Sequence, residues 1–264
     1  MDYTSFIYEV KDGIAIISLN DPDKLNALTF QSYEELERLF EYLARDDQVK
    51  VIIITGAGKG FCSGGSVHEI IGKLMDMNAE ELKRFTRMSC NVVKNMQSLK
   101  KPIIAAVNGI AAGAGAMLAL ASDLRIVSDR AKFAFLFTKV GLSGADMGAL
   151  YLLPRIVGQG RARELLFLGD TIDSQEAYRI SLANRVVEHE ILLAEAYRLA
   201  QRLKESPLYA LGVTKELIER EASVDLDQAL ELESRAQARC METPDFTEGY
   251  MAFMEKRAPV FNRW

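Results

Sequence analysis

Residues 61–70 read FCSGGSVHEI and residues 106–126 read AVNGIAAGAGAMLALASDLRI. Each stretch follows a short apolar run, 51–54 (VIII) before the first and 103–107 (IIAAV) into the second, of the kind expected for a strand covered on both faces. Both stretches therefore read as strand-to-helix turns built from residues with little or no side chain. Small residues let a ligand reach the main chain. Where such a turn opens a helix, its free N–H groups and the helix dipole both favour negative charge. A single glycine-rich turn serves close packing equally well, whereas two facing one point would form an oxyanion hole.

Outward from these turns the pattern stays α/β. Residues 6–10 and 14–20 are β-rich and flank Lys11-Asp12-Gly13, a signal for a tight hairpin. Phe30, Tyr33, Leu36, Leu39, Phe40 and Leu43 fall at helical spacing, as do Leu82, Phe85, Met88, Val92, Val93 and Met96. Residues 124–127, 132–135 and 184–187 read as further short strands. From about residue 149 the pattern is mostly helical, with Ser206-Pro207 as a helix start. Strand, turn and helix recur as in a spiral, without a close sequence repeat.

The chain has 264 residues, 37 acidic and 32 basic, for a net charge of −5. No basic stripe is present, so nucleic acid is not an expected partner. No run reaches the roughly 18 apolar residues of a spanning helix, and no targeting segment is visible at the start, so a cytoplasmic protein away from membranes is expected. Cys62, Cys90 and Cys240 are odd in number and far apart, which suits a reducing compartment. GAGKG at 56–60 fails both glycine-loop nucleotide patterns, with Phe61 and Ile53 where glycine is required. GLSGA at 141–145 lacks the last glycine of a nucleophile elbow. His68-Glu69 has Gly72 in place of a second histidine, so no metal is expected. His189, within VVEHE, reads as a solvated surface residue.

FCSGGSVHEI resembles the F-C-A-G-x-D-[LI] segment of the crotonase (enoyl-CoA hydratase/isomerase) superfamily, and the 106–126 stretch resembles its second glycine-rich segment. DPDKLNALT at 21–29, LLPRIVGQGRARELLFLGD at 152–170 and EKRAPVF at 255–261 are similar to three more of its segments, in the same order. The resemblance implies a crotonase-like spiral of repeated ββα units over residues 1–200, with a C-terminal helical cap or trimerisation region over 201–264. It implies an acyl-CoA thioester as substrate, no permanently bound cofactor, and coenzyme A entering as part of that substrate. A homotrimer or a dimer of trimers is expected.

On the same resemblance the backbone amides of Gly65 and Ala114 are the oxyanion donors, Ala114 standing where the family usually has Gly. Lys24, Ala27 and the backbone near Cys62 would line the coenzyme A site, with Phe253 and Lys256 of a neighbouring subunit beside its adenine and phosphates. Lys24 and Lys256 could equally be solvated surface amines. Ser66 stands at the family's usual Asp. The two hydratase glutamates correspond to Met117 and Phe137, neither of which transfers a proton, so a two-glutamate hydration is not supported. Asp146, in GLSGADMGALYLLPR, matches the aspartate that family isomerases use as a proton shuttle. One carboxylate suffices for that task if desolvation raises its pKa. Asp146 would also suit the N-cap of a helix starting near Ala149.

Ser143 and Glu69 are further polar residues expected near the pocket, without assigned roles. Leu74, Met75, Met77, Phe135 and Phe137 are candidates for an acyl pocket or for the core. Asp123 reads as structural, pairing or capping near Arg125. Other thioester reactions of the same fold (hydrolysis, dehalogenation, decarboxylation) and a non-catalytic acyl-CoA binder stand as alternatives.

Overall fold

The computed structural model describes residues 3–262. β1 (Phe6–Lys11) and β2 (Ile14–Leu19) form the opening hairpin, with Asp12 and Gly13 both at positive φ (51° and 76°) as its two-residue turn requires. β3 (Val51–Gly56), β4 (Ile103–Val107), β5 (Ile110–Ala112), β6 (Leu124–Ser128), β7 (Lys132–Ala134), β8 (Thr171–Asp173) and β9 (Arg185–Val187) follow. The helices are α1 (Phe30–Leu43), α2 (Gly72–Leu74), α3 (Ala79–Ser98), α4 (Ala114–Leu120), α5 (Ala149–Val157), α6 (Gln159–Leu168), α7 (Ser174–Arg179), α8 (Leu192–Lys204), α9 (Leu208–Glu221), α10 (Leu226–Met241) and α11 (Pro244–Glu255).

A six-stranded sheet runs in the order β1-β2-β3-β4-β6-β9, parallel after the first pair, and a small sheet has the order β5-β7-β8. Single bridges pair Leu28 with Gly65 and Cys62 with Ala111, so the turns after β2 and β3 extend the small sheet. Each turn of the spiral leaves the large sheet, crosses the small one and returns. This is the crotonase-type α/β arrangement expected from the sequence.

The continuous apolar runs are explained by burial of both strand faces. Along β3, Ile52 and Ile54 face α1, α3 and α4, while Val51 and Ile53 face Leu192, Ala196 and Ala200 of α8, as the two-residue strand period dictates. α1 and α3 start on complete capping boxes, Thr29 with Ser32 and Asn78 with Glu81, which fix where each helix leaves its turn. α8 runs through the division expected at residues 200/201, and the helical tail proper begins with α9.

Several expectations are corrected. β8 lies in a region expected to be helical, and β5 occupies the small-residue segment as a strand. Pro207 is the extended residue before α9 and not its first helical residue. Asp123 pairs with Lys215 of α9 at 2.8 Å, not with Arg125, whose guanidinium donates to the carbonyls of Ser122 and Leu182. His189 is half-buried, its Nδ1 3.1 Å from the Ser128 hydroxyl and its main-chain N–H donating to Asp129.

Candidate active site

Three hydrogen bonds stitch the turn at 61–65 to its neighbours. Leu28 N–H donates to Gly64 O at 2.7 Å, Ser66 N–H to Leu28 O at 2.8 Å, and Ala112 N–H to Cys62 O at 2.9 Å. This parallel bridging uses the amides either side of Gly65 and leaves its own N–H without an acceptor among the described residues. Ala114 is the first residue of α4, where a helix has no internal acceptor to offer, and its N–H is likewise unpaired among them. The two amides belong to touching turns: a Cβ on Gly64, which stands at φ 100°, would lie 3.6 Å from the Ala114 nitrogen. Gly115 makes that contact possible, since a Cβ there would sit 2.1 Å from Cys62 O. Around Gly65, by contrast, the nearest atoms to a Cβ would be Ile70 Cγ2 at 3.9 Å and the Tyr33 hydroxyl at 4.0 Å. Two unpaired donors on touching turns, one of them on the half-buried Gly65, can hold an anionic oxygen.

Two asparagines that the sequence reading passed over keep this arrangement rigid. Asn26 Nδ2 donates to the carbonyls of Ala57, Gly60 and Phe61, and Asn108 Nδ2 to those of Gly58 and Gly60, so the loop before the turn has its buried acceptors satisfied. Asn108 stands immediately before Gly109 and Asn26 inside NAL, a local signal that could have marked both as turn supports.

Asp146 lies half-buried in the loop before α5. Its side chain does not cap that helix, whose N-cap is Gly148 without a side-chain bond. Burial pushes the carboxyl pKa above its ordinary value, and a hydrogen bond from the Met147 amide opposes the rise. Met147 itself sits at φ 46°, a left-handed conformation for a bulky residue, which shapes the chain at this carboxylate. Cys62 is fully buried with its thiol pushed up to about 12 by that burial, so it stays neutral beside the turn.

Met117 is completely buried in α4 and Phe137 nearly so in a short 3-10 turn, Leu136–Val140, so neither position supplies a proton donor. The Ser66 hydroxyl accepts from the Glu69 N–H and caps a π turn, Val67–Ile71. Glu69 pairs with the exposed Lys24 ammonium at 3.0 Å, and Asp21 lies 3.7 Å from the same nitrogen. Ala27, half-buried, lines a cleft of about 250 Å³ together with Leu28, Thr29 and Glu69. Ser143 is exposed and accepts from the Ala145 N–H. Of the acyl-pocket candidates, Phe135 is core, Leu74 packs against the core, Met77 is half-buried and Met75 points to solvent. Phe253, 80% exposed, and Lys256 lie at the end of α11, which packs on α10. Two larger clefts, about 500 Å³ each, run along α9 and contain neither amide.

Comparison with known proteins gives the family. Residues 9–263 match the family model described as enoyl-CoA hydratase/isomerase. The 1,2-epoxyphenylacetyl-CoA isomerase of Escherichia coli (strain K12) is 36% identical, with 96% of each chain covered, and the short-chain-enoyl-CoA hydratase of Clostridium acetobutylicum is 34% identical over 97% of each. A Streptomyces coelicolor A3(2) structure described provisionally as an enoyl-CoA hydratase superposes with a TM-score of 0.97 at 46% identity, covering 99% of this chain and 95% of that one. The enoyl-CoA hydratase of Bacillus anthracis gives 0.91 at 32%, covering 98% and 99%. The chain belongs to the enoyl-CoA hydratase/isomerase family and is an enzyme of that family.

Proposed function

We propose that this enzyme moves a proton along the acyl group of an enoyl-CoA thioester, with the enolate oxygen held by the amides of Gly65 and Ala114 and Asp146 as the single acid/base. The observation that carries this reading is the pair of unpaired main-chain donors on touching turns, in a chain with a half-buried aspartate at 146 and no glutamate at positions 117 and 137. The Asp146 carboxylate takes the proton from the carbon next to the thioester carbonyl. The C–H electron pair moves into the carbonyl as the enolate, and the same carboxyl group returns the proton two carbons along. Each amide donor contributes about 2.7–4 kcal/mol of transition-state stabilisation in such sites. An aspartate with a raised pKa is a better match to both halves of the transfer than one at its ordinary value.

Coenzyme A enters with the substrate, and no resident cofactor is needed for a proton transfer of this kind. Lys24, Ala27 and the main chain at Cys62 would line its path. A phosphate there would have to compete with Glu69 for the Lys24 ammonium. Exposed Phe253, together with Lys256, would complete the adenine end from a neighbouring copy of a homotrimer or a dimer of trimers. The three unpaired cysteines suit a cytoplasmic setting.

The test is a panel of enoyl, 3-hydroxyacyl and aromatic acyl-CoA thioesters followed by mass spectrometry, with wild type and Asp146→Asn in parallel. Double-bond migration by wild type is expected, together with a variant that still binds and turns over at least 100-fold more slowly, the lower range for a general acid/base group. Water addition at full rate by the variant would remove Asp146 from the mechanism. No change in any thioester would make the protein an acyl-CoA binder.

A further inference from the structure

Away from the two turns, a cavity of about 500 Å³ lies between the core and the helical tail, a volume in the range of sites that take small molecules. Leu120 at the end of α4, Leu124 of β6, Ile156 of α5 and Leu211 of α9 make its wall largely apolar, and Arg125 of β6 forms part of that wall. Arg125 is only 5% exposed, yet it has no ion pair among the described residues: its neighbour Asp123 is bonded to Lys215. Its Nε donates to Leu182 O and its Nη1 to Ser122 O, both at 2.6 Å, while Nη2 meets no acceptor among the described residues. The sealed-in polar side-chain atoms without a partner there are Tyr8 Oη, Glu221 Oε1 and Asp245 Oδ2. Nη2 is not one of them, so it keeps open surface, and the open space at Arg125 is this cavity.

The other polar groups of the wall are already engaged. Lys215 gives its ammonium hydrogens to Asp123 and to the carbonyls of Met96 and Lys101, and the charge of Glu219 acts on the same ammonium. Gln97 donates to Ala121 O, Ser122 to Leu118 O and Thr214 to Ala210 O. Arg155 donates to Tyr151 O, with its guanidinium 3.5 Å from the centre of the Tyr151 ring. A buried guanidinium without a paired counter-charge is costly. Burial lowers its pKa to about 10, opposed by Asp123, so it is still a cation at neutral pH.

We propose that this cavity binds a small carboxylic acid with an apolar body, its carboxylate accepting from Nη2 of Arg125 and its chain lying against Leu120, Leu124, Ile156 and Leu211. A planar carboxylate suits the guanidinium fork. A phosphate would bring more charge against apolar walls, and an alcohol would leave the guanidinium without its counter-charge. Neither Gly65, Ala114 nor Asp146 borders the cavity, so the site stands apart from the thioester chemistry and does not depend on the role of Asp146.

The probe is octanoate, titrated calorimetrically into the full chain with octanoyl-CoA in excess to fill the thioester site. Saturable binding is expected, with octanol at least tenfold weaker, as for loss of a hydrogen bond to a charged group, and inorganic phosphate unable to compete. Thr214→Trp, from an exposed position on α9 at the cavity wall, fills the space, and Arg125→Lys keeps the charge but loses the fork. Each should weaken octanoate at least tenfold. If either variant fails to fold, the other and the wild-type comparison of octanoate with octanol decide. Absence of octanoate binding overturns the proposal, as would follow if a second copy of the chain closes the cavity. Displacement of octanoate by octanoyl-CoA overturns it by placing the acid in the thioester site. Equal affinity for octanol, competition by phosphate, or unchanged affinity in a folded variant overturns it as well.

Discussion

Asp146 has the raised pKa of a carboxyl group kept from water, and that has a stability consequence that turnover does not report. A carboxyl whose folded-state pKa lies above its unfolded value holds its proton more tightly when folded. The associated stability is whole below the ordinary aspartate value of 3.8 and is lost as pH rises through the raised pKa. At neutral pH the wild-type chain therefore folds around a desolvated charge that asparagine would not carry. Asp146→Asn should melt at a higher temperature than wild type at neutral pH, with the gap narrowing in acid, as thermal melts across a pH series would record. A variant that melts lower at every pH would mean that Met147 and its amide need the carboxylate to hold the loop. At this scale the two turns were legible because the need for small residues is local. Gly64, Gly65 and Gly115 sit a few positions from the amides they serve. Tyr33 was read only as one apolar position on a helix, because its hydroxyl meets Gly65 through the Leu28 bridge and nothing in the spacing shows that bridge.

Elements with a continuous apolar run or a long helical period, such as β3 and α1, were readable, whereas β5 and β8 were not. β7 and β9 are just as short and were readable, but β5 is an isoleucine with two alanines and β8 a Thr-Ile-Asp, neither a β-rich run, and both strands exist because β7 pairs with them. The attachment of α9 was also hidden, since it depends on Lys215 reaching Asp123 across 92 positions. The Lys215 side chain is 11% exposed and its ammonium also donates to the carbonyls of Met96 and Lys101, so the helix is latched by a largely desolvated cation. Burial lowers its pKa, opposed by Asp123. Removing one member of a fully buried pair costs about 3–5 kcal/mol. Asp123 is partly exposed and keeps its bond from the Ile103 N–H, so about 2 kcal/mol is expected for Lys215→Ala. Lys100→Ala breaks the solvent-exposed pair with Glu216 on the same helix and should cost under about 1 kcal/mol. Denaturant midpoints of the two variants decide the matter, and equal values would show that the buried latch adds nothing.

Over the whole molecule, apolar residues left in solvent gather on the helical tail. Ile218, Leu226, Leu230, Phe246, Tyr250 and Met254 are all more than half exposed, alongside Phe253. A surface of this kind is expected to be covered by further copies of the chain, with a solution mass three or six times that of one protomer by light scattering. Leu226→Glu with Leu230→Glu should yield monomers, and these should bind coenzyme A thioesters more weakly if a neighbour's Phe253 and Lys256 complete the site. A monomeric wild type would remove that part of the proposal while leaving the amide pair untouched. The pair is tested most directly by the infrared spectrum of an acyl thioester labelled with carbon-13 at its carbonyl and bound to Asp146→Asn. Two main-chain donors should move the carbonyl stretch below its frequency in water. A stretch at or above the aqueous value would show that the amides of Gly65 and Ala114 do not hold that oxygen.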